Sequence, residues 1–123
     1  MTPFPADSLV VSGARGEVRY AVKENGEMLA KEFIDGLPVP DKSKLFALFR
    51  RLAVNGTIHN VEKFRKERGE IYAFKSAQIR IPCFRVGNRW FLTHGFTKNV
   101  DRWKKADLDR ADKIRQEHLD QFN

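Results

Sequence analysis

Lys75, Arg80 and Lys98 are the side chains of this sequence best placed to do chemistry. They stand on three successive short apolar segments within residues 71–99, IYAFKSAQIRIPCFRVGNRWFLTHGFTKN. Ammonium and guanidinium groups bind phosphate oxygens and neutralise charge that builds on them. The surroundings share that sign. Between His59 and Lys105 there are twelve Lys and Arg against four acids, a net +8, so the remainder of a chain of net charge +7 carries −1. A basic region this localised attracts polyanions and steers their approach, which points to nucleic-acid contact.

Other reactive types offer less. The single cysteine, Cys83, excludes an internal disulfide. It lies in an apolar segment without a neighbouring base and reads as a small buried residue. His59, His94 and His118 form no pair at metal-ligand spacing, so no metal or other cofactor is expected. His94 alternates with Leu92 and Phe96 and shares their face. It reads either as a hydrogen-bonded buried histidine beside Gly95 or as a proton-transfer group.

The elements that must position these residues follow from periodicity. Residues 16–23 alternate Val18, Tyr20 and Val22 with charged side chains and predict a strand. Residues 27–37 predict a helix through Leu29, Phe33 and Leu37, stopped by Gly36 and Pro38-Val39-Pro40. Asp41 then reads as the N-cap of a second helix over 42–55. Its core stripe is Leu45, Leu48, Phe49 and Leu52, widened by Phe46 and Ala53, with Asn55-Gly56 as the stop.

Residues 57–69 are polar and basic and predict a loop. Lys63, Arg65, Lys66 and Arg68 make it either a phosphate-contacting rim or a solvated surface. Strands follow over 71–75, 78–86 and 89–98, with turns at Ser76-Ala77 and Gly87-Asn88. Pro82 removes a ladder donor, so its strand is an edge there or carries a bulge. Arg102, Trp103, Lys104 and Lys105 precede a last helix over 106–122. They can hold a base or phosphate, or Trp103 can anchor that helix to the core.

The order β-α-α-β-β-β-α gives an α+β fold, a small, mostly antiparallel sheet covered by a helical hairpin. Residues 1–14 read as an N-terminal extension, either loose or adding 9–11 to a sheet edge, and 15–123 as a single domain. No apolar run approaches the roughly 20 residues that span a bilayer, and the N-terminus lacks a secretory pattern, so a cytoplasmic protein with no membrane partner is expected.

This order, with the cues Ile71-Tyr72-x-Phe74-Lys75, Ile79-Arg80-Ile81 and Leu92-x-His94-Gly95-Phe96-x-Lys98, resembles the RelE/ParE superfamily of bacterial toxins. The similarity is greatest to its HigB-like, phage Gp49-like branch and spans about residues 17–119. It implies a RelE-like fold and a type II toxin that cleaves ribosome-bound mRNA without a metal, neutralised by a small helix-turn-helix antitoxin. The alternative within that likeness is a non-catalytic nucleic-acid- or protein-binding module, a gyrase inhibitor or a decayed toxin.

The cleavage implied is attack of a ribose 2′-hydroxyl on the adjacent phosphate. It needs a proton acceptor, stabilisation of the phosphorane and a proton donor to the 5′-oxygen. By resemblance, Lys75 closes the first family strand and Arg80 is the arginine of the second, a stabiliser of the transition state. Lys98 is the first of two basic residues that follow the His-Gly-Phe segment. Asn99 stands where the second cation is often found, and Ala73 and Pro82 also depart from the pattern.

Overall fold

The structure, a computed structural model, describes residues 4–98, 103 and 105–122. A 3-10 turn, Ala6–Ser8, leads into β1 (Leu9–Gly13) and β2 (Gly16–Tyr20). Two helices follow, α1 (Leu29–Asp35) and α2 (Val39–Asn55). Then come β3 (Phe64–Arg68), β4 (Ile71–Ser76), β5 (Ile79–Val86), β6 (Arg89–Leu92), β7 (Phe96–Thr97) and α3 (Lys105–Phe122). One sheet in the order β1-β2-β6-β5-β4-β3 holds the strands, with β7 also on β5. Among the described residues only β2 and β6 run parallel; the other pairs are antiparallel. The fold is therefore the expected α+β arrangement with a mostly antiparallel sheet.

Both faces of the sheet are used. The period-2 alternation sends Val18, Tyr20, Phe74, Ile81, Cys83 and Leu92 to one side, against Ala30 and Ile34 of α1 and Leu45, Phe49 and Leu52 of α2. It sends Ile71, Phe84 and Phe91 to the other, against Ala111 and Ile114 of α3. Burial at about 25 cal/mol per Å² of apolar surface makes these two layers the main favourable term in the fold. His118 belongs to the second layer. It is 2% exposed, lies among the rings of Phe4, Phe84, Phe91 and Phe122, and its Nδ1 accepts the Val22 N–H at 3.0 Å.

Several local expectations change. The predicted loop over 57–69 contains β3, an edge strand with four charged residues. Its one apolar anchor, Phe64, meets Phe74, Trp90 and Tyr72 at 4.8, 5.2 and 5.7 Å between ring centroids. Charge on an edge strand discourages pairing with other chains and hides the strand from a hydrophobicity reading. Residues 9–13 are not loose but form the opposite edge. α2 starts at Val39, so Pro38 is its N-cap and Pro40 lies in its first turn, where a missing N–H costs nothing. Asp41 is a first-turn acid rather than the cap. Gly56 ends the helix at φ 80°, its N–H on the Leu52 carbonyl at 2.8 Å. Phe46 is not core: it is 37% exposed.

The predicted third strand is interrupted at residues 93–95. β6 pairs with β5 through Cys83↔Leu92 and β7 through Arg80↔Phe96, a register offset of one residue. Pro82 explains the place. The Thr93 N–H and Oγ1–H both donate to the Pro82 carbonyl, at 2.9 and 3.2 Å, so Pro82 faces this neighbour. A residue's N and O point the same way in a strand, so its missing donor falls opposite the break. The extra residue lies in the interrupted strand, three residues opposing two, while β5 runs unbroken and central, so the strand that holds Pro82 is neither an edge nor bulged.

Candidate nucleic-acid interface

α3 covers only part of the second sheet face. Along β4 the residues of that face are Ile71, Ala73 and Lys75; along β5 they are Phe84, Pro82 and Arg80. Ile71 and Phe84 lie under α3 and are fully buried. Lys75 and Arg80 lie beyond it, directly opposite each other across the ladder. The tight turn between them holds Ala77 at φ 51°, a left-handed conformation that costs a non-glycine residue roughly 1 kcal/mol. The Arg80 Nη1 braces this turn, donating to the carbonyls of Ala77 at 2.6 Å and Ile79 at 3.0 Å.

Two neighbouring strands complete the cluster. β3 places Arg65 on the same face, opposite Ala73, and the Lys75 N–H donates to the Lys63 carbonyl at 2.8 Å. After β7, the Lys98 N–H donates to the Gln78 carbonyl at 2.7 Å, which draws Lys98 against the β4–β5 turn. The Lys75 ammonium has its pKa lowered, by burial first and then by Arg65, with Arg80 and Lys98 adding repulsion and Glu67 opposing it. Arg80 is lowered too, by burial first and, among the charges, by Arg65 against the opposing Glu67. Glu67 is the acid in this cationic set. Its carboxylate, 8% exposed, accepts from the Arg65 Nε at 3.0 Å.

One border of the cluster is aromatic. Phe96, paired with Arg80, stacks on His94 at 5.7 Å and takes the Trp103 ring edge-on at 5.0 Å. His94 is 2% exposed and its pKa is lowered to about 4, by burial first and then by Arg110. The Thr93 hydroxyl proton already serves Pro82, so the contact of 3.0 Å between Thr93 Oγ1 and His94 Nδ1 assigns the ring proton to Nδ1. His94 Nε2 then carries a lone pair, 3.9 Å from the Asp107 carboxylate and without a hydrogen-bond partner among the described residues. Gly95 permits the bend, because a Cβ there would fall 2.3 Å from a ring carbon of Phe33.

A model of the family described as phage-derived protein Gp49-like (DUF891) matches residues 32–116. The chain belongs to this Gp49-like family, a branch of RelE/HigB-like toxins. The match starts inside α1, ends inside α3 and contains every residue of the cluster. No curated protein matches the chain. Membership makes this a toxin–antitoxin-related protein.

Within this Gp49-like chain, the expected site residues fall into three groups. Lys75, Arg80, Lys98 and Arg65 come together, with Lys63 beside them. Lys66 does not join them: it pairs with Tyr72 on the opposite face and stands over that ring at 5.6 Å. Arg68 holds α3 through Asp109 at 2.9 Å and through Asp112, and Lys105 pairs with Asp109 at 2.7 Å. Arg102, Lys104 and Asn99 lie outside the described residues. His94 lies behind Phe96 as a neutral, buried ring, and Trp103 packs on Phe96 half-buried. Glu67 escaped sequence reasoning. The available signal was its two-residue spacing from Arg65, usable only once residues 64–68 are read as a strand. None of the described helices is long and apolar enough to cross a membrane.

Proposed function

We propose that this Gp49-like chain is the toxin of a type II toxin–antitoxin pair and a metal-independent endoribonuclease acting on ribosome-bound mRNA. Its partners are then the ribosome and mRNA, and a small helix-turn-helix antitoxin in the cytoplasm. The observation that carries this reading is the set Arg65, Lys75 and Arg80 on the uncovered half of the sheet face, with Glu67 among them and Lys98, 9% exposed, drawn against the β4–β5 turn beside them. Four cations attract the RNA backbone, and a carboxylate supplies the one role that permanent cations cannot.

The step balances with these groups. Glu67 takes the proton from the 2′-hydroxyl as the 2′-oxygen–phosphorus bond forms. Arg80 offsets the extra negative charge on the phosphorane. The phosphorus–5′-oxygen bond then breaks and Lys75, whose pKa is drawn down, gives the leaving oxygen its proton. Arg65, which is exposed, holds a flanking phosphate, and the buried Lys98 adds its charge from beside the turn. His94 positions the chain at the bend instead of exchanging protons with RNA, since its ring is 2% exposed and stacked under Phe96. Trp103 is the surface on which a base stacks.

One observation favours a binding-only module. Arg80 already donates to two carbonyls of its own turn, which is what a bracing residue does. Induced expression in bacteria, with primer extension of cellular transcripts, separates the two readings. Discrete cleavage ends that disappear in Arg80→Lys and Glu67→Gln support the nuclease. Growth arrest with intact transcripts would refute it and leave the binding module.

A further inference from the structure

α2 carries two apolar stripes, and the fold buries one. Leu45, Leu48, Phe49, Leu52 and Ala53 face the sheet. On the outer side Val39, Phe46 and Val54 are 71%, 37% and 44% exposed. With the exposed Ala47 and Arg50 they follow one line of the helix, at steps of seven, four and four from Val39 through Phe46 and Arg50 to Val54. Lys44 and Arg51 are exposed along one flank. None of Lys44, Arg50 and Arg51 forms an ion pair among the described residues, and no acidic side chain of the outer face of α2 stands on the same line.

The geometry points to a docking face for an acidic amphipathic helix of a partner protein. Shape argues for a helix: the line rises about 22 Å from Val39 to Val54, at 1.5 Å per residue, and presents one ridge to be packed in the usual way of helix on helix. Charge argues for acid: Arg50 lies in the apolar line and Lys44 and Arg51 along one flank of it, without ion pairs among the described residues, and carboxylates on a partner complete them. Phosphate backbone is the poorer occupant, because Val39, Phe46 and Val54 gain nothing from it and lose water. This face lies on the other side of the sheet from Lys75 and Arg80. Docking here leaves that cluster open and requires nothing of it.

The test is titration of the ¹⁵N-labelled full chain with a synthetic peptide of about 18 residues, long enough to span the line. The peptide carries Leu at i, i+4, i+7 and i+11 and Glu between them. Amide shifts confined to the outer residues of α2 are expected. Affinity should fall at least tenfold in Phe46→Ser, whose ring also packs edge-on against Phe49, and in Arg50→Glu, which is exposed and keeps the wild-type unfolding curve. A scrambled peptide of the same composition should bind at least tenfold more weakly. Absence of binding, equal binding of the scrambled peptide, or shifts centred on Lys75 and Arg80 would overturn the proposal. So would a single-stranded RNA oligonucleotide that shifts the α2 amides in place of the peptide. RNA binding by Phe46→Ser should stay at the wild-type level, so this surface and the cationic cluster fail or succeed separately.

Discussion

The two halves of one sheet face behave as different materials. Under α3, β4 and β5 contribute Ile71 and Phe84, fully buried against Ala111 and Ile114. A few residues along the same strands they contribute Lys75 and Arg80, partly open and mutually repelling. A strand has no means of changing its face along its length, so the change is made by what lies above it. Where the helix stops, apolar side chains stop and cations begin. The covered half holds the molecule together, and the open half spends stability to keep like charges close. Substitutions in the two halves should therefore separate stability from polyanion binding.

The largest effect should come from the covered half. Phe84→Ala removes a fully buried ring and should cost about 3–5 kcal/mol in urea unfolding. A loss under 1 kcal/mol would mean that α3 does not seal this half. Lys75→Ala should move the same curve by less than about 1 kcal/mol.

Acid should act next, again on the covered side and its border. His94 and His118 both have pKa values lowered to about 4, chiefly by burial. The unfolded chain binds their protons near 6.5 and the folded chain does not. Stability from both is thus complete above about pH 6.5, falls as pH drops, and is lost by about pH 4, on the order of 2 kcal/mol for each ring. Melting temperatures between pH 7 and pH 4 check this. His118→Gln should flatten the profile, and an unchanged profile would place the histidines in water.

In the open half, Arg80→Ala should weaken binding of a single-stranded RNA by about tenfold, near 1.4 kcal/mol, read by fluorescence anisotropy. Ala77→Gly should have the smallest effect. It relieves the left-handed strain of the turn at the expense of a more flexible unfolded chain, and should leave stability within about 1 kcal/mol of wild type. A large destabilisation would mean that the alanine methyl group packs in the turn.

How much of this was readable beforehand differs between the two halves. The covered half is local pattern: the alternation of Ile71, Ala73 and Lys75, and of Arg80, Pro82 and Phe84, gives faces without knowledge of neighbours. The same alternation placed Lys75 beside Arg80 across a short turn. Pro82, through its missing donor, marked the place of an irregularity, which the structure puts in the neighbouring strand at residues 93–95. β3 was illegible because a charged edge strand buries only Phe64 and otherwise looks like a solvated loop. Glu67 was lost with it. The opposite assignments of Lys66 and Arg65 depend on that strand as well, since neighbours in a strand face opposite ways. The ion pairs of Arg68 were hidden because the sequence does not show that α3 brings Asp109 and Asp112 beside β3, whereas Lys105 and Asp109 stand four residues apart on one helix. The offset of β6 from β7 likewise needs the partner strand. Phe46 shows the limit of helical periodicity, which places a residue on a stripe without saying where the stripe leaves the core.

On the proposed function, the open half of this sheet face holds the phosphates of RNA. The most direct test is the salt dependence of RNA binding, because each phosphate contact releases counterions and contributes about 0.7 to the slope of log K against log salt for a single strand. The double variant Lys75→Ala/Arg80→Ala should lower that slope by about 1.4, while Lys66→Ala, on the opposite face, leaves it unchanged. An unchanged slope in the double variant, or an equal loss in Lys66→Ala, would contradict the account.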